Sequence, residues 1–455
     1  MLRVRGELFG GTMFRKCSGN VEARARRLKL GSKSAITAAM KRFLLTALLL
    51  ATTLHADDWP SWRGPSANGC TPTGNYPTRW SPETAAWKIA LPGKGASTPI
   101  VWQNRIYLTT PADGRDAVLA LDMNGKQLWL TKLGPESPAK HKTLGTSCNG
   151  SPVTDGKGLF VRFRSGGLAA LEFDGKVRWQ INLTEQFGPE VYVWDQGSSP
   201  VVTDQHVIYA RMHHGDSWIA GFDKATGKLR WQVKRNYEVP NENDNGYTTP
   251  LFFQHQGRLA FLIWGADHLT AHDAADGKLI WSCGGFNPRG TGNWPAIATP
   301  VLHNGIAVVP VGRDDRQQGR MEGVRVDGRG DVSATHRVWQ RDDFGIFCCT
   351  PVLWQGRVYL LRPLGQVVCL DPATGKTIWE EALPRSSRYF SSPVIANGIL
   401  YAAREDGVVF AARVGTRLEL LGENSMGERI IASPVPVNNR LLIRGDKHLF
   451  CITGK

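Results

Sequence analysis

The eight cysteines of this chain include no Cys-x-x-Cys pair and no Cys-x-x-Cys-His, which excludes zinc ribbons and covalently attached haem. No apolar run reaches membrane-spanning length near the N-terminus: residues 43–54 form a run of 12, where a spanning helix needs about 20. The body also lacks an excess of charge of one sign. The formal net charge is +15, but residues 1–56 hold 11 Lys+Arg against 2 Asp+Glu, and the rest holds 44 against 38. That balance is an ordinary solvated surface, and it excludes nucleic acid as the expected partner. Long apolar patterns of helical period are scarce as well.

The N-terminus accounts for the charge. Met40-Lys41-Arg42 precedes the apolar run, which is followed by His55-Ala56 and the acidic Asp57-Asp58. This is the layout of a signal peptide over 40–56, with cleavage after Ala56. Residues 1–39 are then a basic leader, either upstream of a true start at Met40 or a disordered segment. The expected destination is the periplasm or the cell exterior. No lipobox cysteine follows the run. Seven cysteines lie after Ala56, an odd number that leaves at least one thiol unpaired.

Glycine (50), proline (26) and tryptophan (16) are plentiful. They are ordered by an internal repeat. A hydroxyl residue followed by proline recurs at Thr98-Pro99, Ser151-Pro152, Ser199-Pro200, Thr249-Pro250, Thr299-Pro300, Thr350-Pro351, Ser392-Pro393 and Ser433-Pro434, with intervals of 41 to 53 residues. A second mark keeps step: an acidic residue, a glycine turn, then tryptophan, as in Asp122/Gly125/Trp129, Asp223/Gly227/Trp231 and Asp371/Gly375/Trp379. The seventh unit departs, with Leu421 where tryptophan is expected.

Each unit reads as a four-stranded antiparallel meander. Proline is tolerated at a strand's first residue, and Asp with Gly makes the tight turn before the last strand. One such sheet cannot bury its faces, so the units must stack radially. The last unit, from Ser433, has three strands and no tryptophan strand. Conversely, Trp87-Lys88-Ile89-Ala90 is a tryptophan strand without a unit. Pairing the two predicts an all-β, eight-bladed β-propeller over 85–455, closed by an N-terminal strand and preceded by an opening segment over 57–84.

The signature in Gly221-Phe222-Asp223-Lys224-Ala225-Thr226-Gly227 to Trp231, and in Cys369-Leu370-Asp371 to Trp379, resembles the pyrroloquinoline-quinone-like propeller repeat. The opening DDWPSWRGPSANG (57–69) is similar to exported bacterial members. The resemblance implies a propeller fold. For function it leaves several outcomes open: a quinone-dependent dehydrogenase, a propeller lipoprotein scaffold for outer-membrane assembly, or another exported propeller; a glycan-binding or carbohydrate-active protein is a separate alternative.

Ligands of propellers sit at the central channel or on the loops of one face. The loops entering the inner strands carry the candidate ligand-binding residues Trp194, Asp195, Asn243, Asp244, Tyr247, Trp294, Asp343, Arg388 and Tyr389, expected to converge on one rim and suited to a protein segment, a polar small molecule or a glycan. Gln196, Asn293, Asp342, Glu428 and Arg429 lie in the same loops. His213 and His214 alternate in direction on a strand and make a poor chelate. Cys369 and Cys451 occupy the small-residue slot of the third strand and read as buried hydrophobes. Cys348-Cys349 could form a vicinal disulfide. Under the dehydrogenase alternative that ring would roof a quinone above Trp194 or Trp294, with calcium held by Asn243, Asp244 or Asp343. The favoured reading is a monomeric, non-catalytic, exported binding or assembly scaffold with no catalytic residue, metal or cofactor.

Overall fold

Eight sheets follow one another along the chain in the computed structural model, which describes residues 58–454. The leader, the signal peptide and its cleavage site lie outside the described residues. Blade 1 runs from centre to rim as Ile100–Trp102, Arg105–Ala112, Arg115–Asp122 and Gln127–Pro135. The next six blades repeat this order. Blade 8 consists of Val435–Val437, Arg440–Arg444 and His448–Thr453, and its outer strand is Trp87–Ala90. Trp87 sits opposite Cys451 and Ala90 opposite His448, so the ring closes as the sequence predicts. Among the described residues helix is confined to one five-residue turn, Leu183–Phe187, and two short 3-10 turns, Pro82–Thr84 and Asp314–Arg316.

The hydroxyl-proline mark has a structural reason. The backbone N–H of Thr98 donates to the Ser151 hydroxyl at 2.9 Å, Ser151 to Ser199 at 3.0 Å, Ser199 to Thr249 at 3.1 Å, and Thr249 to Thr299 at 3.1 Å. Thr299 donates to Thr350, Thr350 to Ser392, and Ser433 back to Thr98. Between blades 7 and 8 the Ser391 hydroxyl donates to the Ala432 carbonyl at 2.9 Å. Each inner strand would otherwise bury a backbone donor with no ladder partner. A hydroxyl from the next blade supplies the acceptor.

The Asp/Gly/Trp mark also works between blades. Asp122 accepts from the backbone N–H of Asn124 and Lys126, both at 2.9 Å, and Asp371 does the same for Ala373 and Thr374. The glycine that follows takes positive φ, 82° at Gly125, and its missing side chain admits the preceding blade's indole; a Cβ at Gly125 would lie 2.9 Å from Trp87. The indole N–H then donates to a carbonyl of that same turn: Trp87 to Met123, Trp129 to Phe173, Trp179 to Lys224, Trp339 to Pro372. In blades 1 to 6 the tryptophan follows a bulge and faces a small residue on the third strand, such as Ala120, Gly221 or Cys369. Cys369 and Cys451 therefore sit under Trp379 and Trp87, buried as small hydrophobes.

The seventh blade corrects the sequence reading. Ala411 is opposite Gly422, and Leu421 is the bulge residue beside it. The tryptophan slot is thus Gly422. It stays bare because the opening segment uses the space: a Cβ there would lie 1.9 Å from the Thr78 carbonyl oxygen. The indole is supplied from elsewhere. Trp80 packs 6.3 Å from the Tyr401 ring, its backbone N–H donates to Asn424 at 2.7 Å, and its indole reaches the Met426 sulfur at 3.1 Å.

The rest of the opening segment crosses the channel. Trp59 is buried and exchanges two backbone bonds with Val101 of blade 1. The Pro60 carbonyl accepts from Thr154 of blade 2. Arg63, buried, donates to the carbonyls of Pro351 and Pro393 in blades 6 and 7, each at 2.9 Å. Cys70–Thr71 then adds a parallel strand to the innermost strand of blade 7.

Candidate functional site

Because the opening segment bridges blades 1 and 2 to blades 6 and 7, the channel is blind. Trp62 forms its floor, just beyond the hydroxyl positions Thr98, Ser151, Ser199, Ser392 and Ser433. Burial of the Arg63 guanidinium next to that floor lowers its pKa to about 10; two carbonyls and no carboxylate hold it. Above the floor the walls are Asn149, Gly197, Tyr247, Ile297, Cys348 and Phe390. The mouth widens into a cavity of about 360 Å³, rimmed by His141, Trp194, Asp195, Arg313, Arg316 and Arg388.

The structure divides the predicted site residues. Trp194, Asp195, Tyr247, Arg388 and Cys348 line this funnel. Trp194 is exposed, with its indole donating to Glu242 at 2.9 Å and its ring 5.1 Å from His141. Tyr247 accepts from the Trp194 N–H at 3.2 Å, and burial pushes its phenol pKa up. Asp195 is buried and committed: it accepts from the backbone of Lys140 at 2.7 Å and His141 at 2.9 Å, and pairs with Arg164 at 2.6 Å. It fixes one blade's loop to the next.

The remaining candidates do not converge on the funnel. Asn243 is fully buried and ties loops together, donating to Asp267 and Thr291 and accepting from Trp294 at 2.7 Å. Trp294 packs between blades 4 and 5 in the core. Asp244 faces away, paired with the exposed His214 at 2.9 Å. Asp343 pairs with Arg341 on the surface at 2.6 Å. Tyr389 is buried against Phe410, its hydroxyl donating to Pro384. Polar loop residues in a propeller either face the ligand or anchor the neighbouring loop; Asn243 and Asp244 do the second, while Asp343 and Tyr389 bond within their own segments.

Cys348 and Cys349 are separate thiols. Cys348 faces the funnel, while Cys349 is buried and donates to the carbonyls of Tyr389 and Ser391. Burial pushes both thiol pKa values up, so neither is a ready nucleophile. His213 is buried and bonded to Arg211, while His214 is exposed; both lie in the bend after the strand His206–Arg211 rather than on a strand, as the alternating reading assumed.

Four mouth residues escaped the sequence reading: Arg313, Asp315, Arg316 and Phe347. The first three lie on a hairpin between the second and third strands of blade 5, Ile306–Arg313 and Gln318–Arg325. Arg313 grips Asp315 with two bonds of 2.8 Å and lies 4.0 Å over the Phe347 ring. Asp314 holds Arg362 of blade 6 at 2.9 Å, and Asp315 lies 3.7 Å from Arg388 of blade 7. The hairpin tip thus leans over two further blades. The available signal was the charged run Arg313-Asp314-Asp315-Arg316 at the end of the long apolar strand Ile306–Arg313.

The funnel's acids leave little for cofactor chemistry. Asp195 and Asp315 are the carboxylates lining the cavity, and both are engaged by the partners given above. Asn149 accepts from the Thr146 backbone and hydroxyl. Among the described residues no three His, Cys, Asp or Glu side chains gather in a metal-holding arrangement. A quinone with calcium needs free oxygen ligands and a carboxylate base; the residues present do not fit that group.

Fold and funnel together define a pyrroloquinoline-quinone-like propeller with a plugged channel. A model of the family described as outer membrane protein assembly factor BamB matches residues 80–216 and 328–419, just over half of the chain. The chain belongs to that family. It is 22% identical over 348 residues to the outer membrane protein assembly factor BamB of Yersinia pestis, covering 73% of this chain and 78% of that one. It is also 22% identical over 352 residues to that of Moranella endobia, covering 76% and 72%. Among solved structures, BamB from Moraxella catarrhalis superposes with a TM-score of 0.59 at 18% identity, over 81% of this chain and 98% of that one. Quinohemoprotein alcohol dehydrogenase from Comamonas testosteroni gives 0.66 at 13% identity, over 89% and 82%. At such identities these structures share the fold alone.

Proposed function

We propose that this protein is an exported, non-catalytic propeller that serves as a binding scaffold for outer-membrane assembly in the cell envelope, and that the plugged funnel is its partner-facing end. Family membership supports the assembly role. The observation that carries the non-catalytic reading is the state of the funnel's carboxylates. Asp195 is held by two backbone N–H groups and Arg164, and Asp315 by the Arg313 fork. Neither is placed to act as a base or to ligate a metal.

The rival is a dehydrogenase using pyrroloquinoline quinone and calcium. Quinone and calcium are added to purified protein, and binding is followed by calorimetry alongside dye-linked oxidation of alcohols and aldose sugars. The scaffold reading expects neither stoichiometric binding nor turnover. Tight binding together with turnover would overturn it. No helix among the described residues is long and apolar enough to cross a membrane.

A further inference from the structure

We propose that the funnel and its lip bind an extended acidic peptide segment carrying an aromatic or other large apolar side chain. The proposal rests on the scaffold reading above and names the chemistry of the partner.

The first argument is unmatched positive charge. Arg316 makes no hydrogen bond or ion pair among the described residues, and the one ion pair of Arg388 is the 3.7 Å approach to Asp315, which Arg313 already holds with two shorter bonds. Both arginines line the mouth. An incoming carboxylate meets free guanidinium N–H groups and no unpaired acid to repel it. Arginine forks suit carboxylates in bidentate geometry.

The second argument is the cavity's apolar side. Phe347, Phe390, Ile297 and Leu144 line it. With a volume of about 360 Å³, it holds a side chain or two and excludes a folded domain. The third is the lip. Val191, Val193 and Trp194 are 49%, 43% and 44% exposed, while Tyr192 between them is buried. This apolar strip continues outside the cavity, farther than a molecule filling the cavity would reach, which favours a chain over a small anion. The lip is also pre-formed: the Val193 N–H donates to Asn245 at 2.9 Å and the Trp194 N–H to Tyr247 at 3.2 Å. Binding therefore orders little new backbone.

The test uses a fluorescein-labelled synthetic peptide of glutamate, phenylalanine and serine, and a counterpart with lysine for glutamate. Both are titrated into the mature protein and followed by anisotropy. The glutamate peptide should bind at least about tenfold tighter than the lysine one, with affinity falling as salt rises. Arg316→Ala with Arg388→Ala should weaken it about tenfold, and Val193→Glu should weaken it independently. All three positions are solvent-facing, so melting temperatures should stay unchanged. Equal binding of both peptides, or variants that bind like the parent, would overturn the proposal. So would displacement by free phenylacetate combined with indifference to Val193→Glu, which would mark a small-anion pocket. Absence of peptide binding in a protein that also ignores quinone refutes the acidic segment and leaves the scaffold standing. Quinone–calcium binding that blocks the peptide, with turnover, refutes both.

Discussion

Replacing Trp87 with alanine strikes the strand by which the N-terminal segment completes the last blade. Trp87 stands on the outer strand of blade 8, opposite Cys451. Its indole donates to the Met123 carbonyl at 2.9 Å and covers Gly125 of blade 1. Removing a large aromatic from a packed site costs about 3–5 kcal/mol. Trp87 is only half-buried, which places the change near the lower end, about 3 kcal/mol with the lost hydrogen bond included. Unfolding entropy of roughly 2 cal/mol/K per residue, over the 400 residues of this unit, gives about 0.8 kcal/mol/K. The expected fall in Tm is therefore about 4 °C by calorimetry. The comparison is Trp129→Ala, which removes an equivalent indole and its bond to Phe173 inside a covalently continuous blade. Both should lower Tm by similar amounts, but only Trp87→Ala should speed hydrogen exchange along His448–Thr453, because it loosens the seam. Deleting residues 57–92 should go further, leaving that strand as an open edge prone to aggregation. A Trp87→Ala protein with unchanged Tm and unchanged exchange in blade 8 would refute closure through this strand.

Further outcomes follow from the same contacts. Thr299→Val removes the acceptor of the Thr249 N–H and should destabilise by about 1–3 kcal/mol in denaturant titrations, whereas Thr299→Ser should be nearly neutral. Trp80→Ala should lower stability, and adding Gly422→Trp should worsen it rather than rescue it, because the Thr78 carbonyl fills that space; recovery in the double variant would contradict the substitution of one tryptophan for another. Asp116 is buried beside Ser165, and burial raises its pKa to about 6. A folded-state pKa above the unfolded value means the folded state holds its proton more tightly, so this group's contribution to stability is present below about pH 4 and is lost as pH rises to about 6. Asp116→Asn should flatten that part of the stability–pH curve and raise stability at neutral pH; an unchanged curve would contradict the assignment.

The ring was legible because its devices are local and repeated. A hydroxyl before proline, and Asp then Gly then Trp, recur in every normal unit, since each blade solves the same contact with its neighbour. The terminal units showed the closure because each lacked what the other had. What escaped reading depends on contacts far apart in sequence. Gly422 looks like an ordinary turn or strand glycine until Thr78 and Trp80 are seen occupying its space. Trp62 and Arg63 read as part of a family-like opening, and only their reach to Pro351 and Pro393 shows that they plug the channel. About half of the candidate residues line the funnel. The loops were correctly placed at one end, yet a side chain such as Asn243 or Asp195 carries the same polarity whether it meets a ligand or fastens the next loop. Arg313, Asp315 and Arg316 escaped because the hairpin that carries them joins the second and third strands, where no ligand contact was sought.

The central claim is that the plugged funnel meets a protein partner. A photo-crosslinking side chain placed at Val193, on the lip, and at Leu128, on the exposed outer strand of blade 1, tests it in intact cells. The account predicts a discrete adduct with an envelope protein from position 193, lost when Arg316 and Arg388 are both alanine, and none from position 128. An adduct from 128 alone, or a silent lip in a protein that binds its partners normally, would contradict it.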